Sequence, residues 1–204
     1  MKREHVPTLL LVFALLALGI SAIGPSDRLT WFLEVAPVIA GIPILVITYR
    51  RFPLSHLVYV FLFVHAVILV IGGHYTYAEV PLGFWAQDIF DLSRNPYDRL
   101  GHFAQGFVPA LLAREILIRR SPLGHSRWLP FLVVCFCLAF SAAYELFEWW
   151  SALALGQSAD QFLGTQGDIW DTQWDMFLAL TGAILSLALL SNAHDKSLAK
   201  ATKK

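Results

Sequence analysis

From Trp128 to Leu153 the chain reads WLPFLVVCFCLAFSAAYELFEWWSAL, 26 residues whose only charges are Glu145 and Glu148, both near its end. A helix of that length that is apolar all round must be solvated by lipid or by other helices. A bilayer core about 30 Å thick needs roughly 20 such residues per crossing. The same reading along the rest of the chain gives six candidate spans, at about 6–23, 31–49, 54–72, 97–118, 128–153 and 174–190. The expected fold is therefore an all-α, polytopic membrane helix bundle, a single transmembrane domain over 1–204. Composition points the same way. The chain is 57% hydrophobic and 15% charged, whereas a soluble domain carries about 25% charged residues. Lys2 and Arg3 precede the first apolar run as in a signal peptide, but the run is about 18 residues long and ends without an A-x-A site. It is expected to stay as an anchor.

Composition also excludes some functions. With 15 Lys+Arg against 15 Asp+Glu the formal net charge is zero, which leaves no basic surface for nucleic acid. Cys135 and Cys137 are two apart inside an apolar run and so point to nearly opposite sides of a helix. That excludes a disulfide scaffold or a thiolate metal site.

Charge is sorted by position. Cytoplasmic loops collect Lys and Arg. With the N-terminus inside, the inner set is Lys2, Arg3, Arg50, Arg51, Arg114, Arg119, Arg120, Arg127, Lys196, Lys200, Lys203 and Lys204, which is 12 of the 15 basic residues. Only Arg28, Arg94 and Arg99 fall outside, while 12 of the 15 acidic residues lie in outer loops or outer halves of spans. The expectation is a bacterial inner-membrane protein with both termini cytoplasmic. In the outer loop 73–96, Trp85, Ile89 and Leu92 recur at helical spacing beside Asp88 and Asp91, as in a short interfacial or re-entrant helix.

Ionisable side chains inside spans cost about 2.5–3.5 kcal/mol each at the bilayer centre, so they should face the bundle interior or water. Here they form stripes. Asp98, His102 and Gln105 share one helix face, as do Ser141, Glu145 and Glu148; Asp168, Asp171 and Asp175 lead into the last span. Glu34, His65 and His74 are placed to complete the ring. The candidates for proton transfer or substrate contact are His102, Glu145, Asp98 and Arg99. Those for a metal are Glu145, Glu148, His102, Asp171, Asp175 and His74. A carboxylate-rich set with few imidazoles suits a divalent cation such as Mg²⁺ or Mn²⁺, or iron, over zinc. Each stripe also has a plain reading. Asn95-Pro96-Tyr97-Asp98 is a helix start with Asn as cap and Pro at the first position, and Thr172 with Asp175 is a capping-box spacing. Arg99 is placed to snorkel to headgroups. Gly101, Gly106, Ala179, Gly182, Ala183 and Ser186 are the small residues that let membrane helices approach closely. Pro37, Pro43 and Pro109 should bend their helices or open a cavity.

Four strings carry a resemblance: Gly73 to Tyr77, Asn95 to Phe107, Ala143 to Trp150 and Gly164 to Met176. In these the chain resembles the YjdF-like family of bacterial inner-membrane proteins, over most of its length after about Arg51. In the order Asp98-Arg99, His102-Phe103, Glu145, then Asp171, Asp175 and Gly182, it is more distantly similar to VanZ-like membrane proteins. The resemblance implies a location and brings no catalytic residues with it. Three readings of the polar stripes therefore stay open. One is an enzyme or binding protein of an envelope lipid or lipid-linked phosphate, with Arg99 on the phosphate. Another is a small ion- or proton-coupled transport protein. The third is a structural or assembly factor whose polar residues only tie helices together.

Overall fold

The structure is a computed structural model that describes residues 5–124, 126–156 and 163–202. Among them are seven α-helices and no strand: α1 (His5–Ser21), α2 (Arg28–Thr48), α3 (His56–Tyr75), α4 (Pro81–Phe90), α5 (Tyr97–Arg120), α6 (Trp128–Leu155) and α7 (Asp171–Thr202), with a 3-10 turn at Tyr77–Glu79. Helices α2, α3, α6 and α7 are long and apolar enough to cross a membrane, and α1 is a shorter apolar helix of 17 residues.

α5 shows why apolarity alone under-reads the bundle. Of all the helices it is the richest in buried residues, and Asp98, His102, Gln105, Arg114 and Glu115 are among them. Its polar groups are tolerated because the other helices surround them, while those helices turn Phe13, Ile47, Leu153 and Leu189 outward, each about half exposed or more. This outward apolar surface is what a lipid environment requires.

Helix starts follow local chemistry. Asp27 caps α2 by accepting from the Thr30 amide at 2.7 Å, and that bond holds its carboxyl below the ordinary carboxylate range. Asn95 Oδ1 accepts from the Tyr97 amide at 3.1 Å, but the residue flanking α5 is Pro96, so the helix begins one residue later than the cap pattern predicts. α7 runs to Thr202 where hydropathy ended the last span at 190. The polar turn Ser191-Asn192-Ala193-His194 lowers hydropathy, yet it continues the helix because His194 is fully buried against α5. α4 forms inside the stretch read as a short outer helix, with Trp85, Ile89 and Phe90 exposed.

Small residues set the spacing of α5 and α7. A Cβ on Gly106 would collide with the Ala179 backbone, and one on Gly182 with the Phe103 carbonyl. Gly101 serves differently: with Gly72 of α3 it makes room for the Tyr77 ring, 2.7 Å and 2.5 Å from where their Cβ atoms would stand. At one end of this α5–α7 pair a closed polar network joins three helices. Glu115 Oε1 accepts from the Ser55 amide at 2.9 Å and from Arg119 at 2.8 Å; Glu115 Oε2 is 3.0 Å from His194 Nε2; His194 Nδ1 faces Arg114 Nη1 at 3.1 Å. At the other end lies the candidate site.

Candidate functional site

The site is built where the first turns of α5 and α7 meet the C-terminal half of α6. His102 lies one turn below Asp98 on α5, and the close α5–α7 crossing brings Asp175 beside both. His102 Nε2 is 3.5 Å from Asp98 Oδ1 and 3.8 Å from Asp175 Oδ2, and its Nδ1 is 3.7 Å from Glu145 Oε1 on α6. Asp98, His102 and Asp175 each offer one ligand atom, and these atoms lie within 4.8 Å of one another. Asp98, His102, Glu145, Asp171 and Asp175 are each 8% exposed or less. Glu145 Oε1 and Asp175 Oδ1 are buried without a hydrogen-bond partner among the described residues.

Both ring nitrogens of His102 face acceptors. His102 Nδ1 stands 3.1 Å from Gln105 Oε1, an acceptor. A proton on Nδ1 would be donated there, while Nε2 faces the Asp98 and Asp175 carboxylates, which are acceptors too. A metal-ligating histidine characteristically donates its second ring N–H in this way.

Arg94, just before α5, is the buried cation of the site. Its guanidinium pairs with Asp171, with Asp98 at 3.3 Å and with Asp168 at 3.8 Å, and donates to the Thr165 and Gly164 carbonyls at 3.1 Å and 3.2 Å. Gln166 adds a second tie, accepting from the Asn95 amide and donating to the Asn95 carbonyl, each at 3.0 Å. The segment leading into α7 is thereby fixed to the start of α5. Arg99, which sequence reasoning singled out instead, is a third exposed; it pairs with Asp168 at 3.2 Å and lies 5.4 Å from the centre of the Trp174 ring. Arg94 lies in the loop before α5, where helical spacing gives no signal. Gln166 carried no sequence signal.

Of the remaining candidates, Glu148 is half-buried and lines a cavity of about 40 Å³ together with Glu34, His65, Tyr77, His102 and Tyr144. His65 Nε2 has no partner there. His74 stands apart from the triad, with Nδ1 3.0 Å from the Ser21 carbonyl oxygen, where it ties the end of α3 to α1. Ser141 is buried on α6 with an unpartnered hydroxyl. Asp168 precedes α7 rather than joining its face, and accepts from the Trp170 amide at 2.9 Å.

These residues fall inside regions shared with known proteins. The chain is 55% identical over 194 residues to the inner membrane protein YjdF of Escherichia coli (strain K12), covering 95% of this chain and 91% of that one. No solved structure gives a significant match. The family described as "Predicted membrane protein (DUF2238)" matches residues 6–196. With its apolar helices and this relative, the chain is a multi-pass membrane protein and belongs to the YjdF-like family of membrane proteins, DUF2238.

Proposed function

We propose that the protein binds a divalent cation at Asp98, His102 and Asp175 and uses it to hold the phosphate of an envelope lipid or lipid-linked intermediate. The observation that carries the reading is the spacing of the triad. Separations of 3.5 Å and 3.8 Å from His102 Nε2 are too long for good hydrogen bonds. They suit ligands around one ion, since donors about 2.1 Å from a metal stand about 3 Å apart when adjacent and about 4 Å apart when opposite. The unpartnered Glu145 Oε1 and Asp175 Oδ1 supply further oxygen donors at the same place. The carboxylate-rich set favours Mg²⁺, Mn²⁺ or iron.

Phosphate binding rests on Arg99. It is the partly exposed cation of the site, its Nε is without a partner, and Trp174 beneath it is a residue type that settles at a membrane interface. The site belongs to the periplasmic half of a six-span bundle with both termini cytoplasmic, because that orientation puts 12 of 15 basic residues inside. Glu145 is placed to exchange a proton with His102.

The test is metal content of the purified protein together with Mn²⁺ titration of metal-stripped protein. About one ion per chain is expected in wild type and a loss of at least tenfold in affinity in His102→Ala and Asp175→Asn. Folded protein that takes up no Mg²⁺, Mn²⁺ or iron would leave the cluster as a tie between helices and end the proposal.

A further inference from the structure

We infer that a second cavity, at the opposite end of the bundle from the triad, binds a phosphate-bearing anion through Arg114 and Arg127. The cavity lies between α5, α6 and α7, measures about 320 Å³ and is lined by Arg114, Ser126, Arg127, Leu129, Leu187 and Ser191 among others, with no acidic residue among the described lining. That volume sits at the lower end of small-molecule sites, about 300–1,000 Å³.

Arg114 makes it a built site. Its residue is 7% exposed and its guanidinium is held from behind by His194 Nδ1 at 3.1 Å and from the side by Asp195 at 2.8 Å. An arginine only donates, so its contact with His194 has Nδ1 as acceptor, with Nε2 facing Glu115. Those two contacts use two of five N–H donors. Asp195, whose side chain is 45% exposed, is the carboxylate nearest the guanidinium and stands outside the cavity lining. Opposite, Ser126 fixes the loop that presents Arg127: its carbonyl accepts from the Leu129 amide at 3.0 Å and its hydroxyl from the Trp128 amide at 3.2 Å. Two arginines lining one cavity match the oxygens of a phosphate, which accepts paired N–H donors.

The surroundings set the level. Trp128 and Phe131, 63% and 57% exposed, stand beside Arg127 as an aromatic belt does at a headgroup boundary. Leu129 and Leu187 give the cavity an apolar side. The shared chemistry is a phosphate group, carried by an anionic lipid headgroup or free in solution.

The experiment uses purified full-length protein in detergent. One arm counts phosphatidylglycerol and phosphatidylcholine retained per chain by native mass spectrometry, and the other titrates inorganic phosphate against thermal stability. Retention of about one phosphatidylglycerol in preference to phosphatidylcholine assigns the site to a lipid. A saturable phosphate response without lipid preference assigns it to a free anion. Arg127→Gln, an exposed change that leaves the Glu115 network intact, should weaken binding about fivefold, the effect of one basic contact. Arg120→Gln removes the same charge from the same end without touching the cavity and should leave binding unchanged. Neither lipid preference nor a phosphate response, no effect of Arg127→Gln, or equal losses in the two variants overturns the inference.

Discussion

Arg94→Gln is the perturbation that most directly tests how the candidate site is held. Arg94 is 6% exposed, and replacing it removes the partner of Asp171 and Asp98 and the donor to the Thr165 and Gly164 carbonyls. The two carboxylates stay behind in a site nearly closed to water. Breaking a buried ion pair from one side costs about 3–5 kcal/mol, because the surviving charge keeps its desolvation penalty and loses its compensation. Glutamine replaces at most one of the four contacts, so the variant should fall in that range by unfolding titration in mixed micelles. The double mutant Arg94→Gln/Asp171→Asn removes the charge on both sides of the strongest contact and should recover about 1–3 kcal/mol relative to the sum of the singles. A single variant within about 1 kcal/mol of wild type, or a double mutant whose losses simply add, would refute the view that Arg94 neutralises this corner.

Other changes separate packing from chemistry. Gly106→Ala places a methyl against the Ala179 backbone; by forcing α5 from α7 it should cost about 1–3 kcal/mol and also weaken Mn²⁺ binding, although Gly106 is no ligand, which a metal titration checks. Glu115→Gln leaves Arg119 and His194 without their carboxylate and should destabilise by about 3–5 kcal/mol while leaving Mn²⁺ affinity unchanged. Asp27→Ala should cost about 1 kcal/mol at neutral pH. Because its folded carboxyl lies below the ordinary value of 3.8, that contribution is present above the ordinary value and disappears as the pH falls through the folded one. Unfolding curves at pH 7 and pH 3 should therefore show the difference between variant and wild type shrinking on acidification.

The stripes on α5 and α7 were legible because i, i+4 spacing fixes which residues share a helix face, and a buried ionisable group in an apolar helix has few places to go. Their meeting point was legible only in outline. That Gly106 faces Ala179, while Gly101 instead receives Tyr77, depends on the rotation of one helix against another, which no local pattern encodes. The Thr172–Asp175 capping spacing misleads for a similar reason. α7 begins at Asp171, so Asp175 lies a full turn inside and its carboxylate reaches across to His102. Arg94 was hidden by sitting in a loop, where helical spacing has no standing until α5 is known to begin at Tyr97. Glu115 and His194 escaped because they are 79 residues apart and each looks like an ordinary polar residue near the end of a span.

The two polar centres on the α5–α7 pair argue for different roles. Around Glu115 the acid is matched: Arg119 and His194 satisfy its two oxygens and the Ser55 amide takes a further lone pair, while Arg114 beside it meets Asp195 and His194 and keeps donors free. A network completed in this way can rigidify a helix end, and binds Ser55, which precedes α3, to both long helices. Around His102 the charges do not close. Asp98, Glu145, Asp171 and Asp175 are opposed by Arg94 and at most one imidazolium, and Glu145 Oε1 and Asp175 Oδ1 are left over. Holding unmatched carboxylates away from water is costly, and a tie between helices would be better made from a matched set like the one at the other end. An incomplete end of excess acid, beside a complete network on the same helix pair, is the arrangement that the cation proposed at Asp98, His102 and Asp175 would complete.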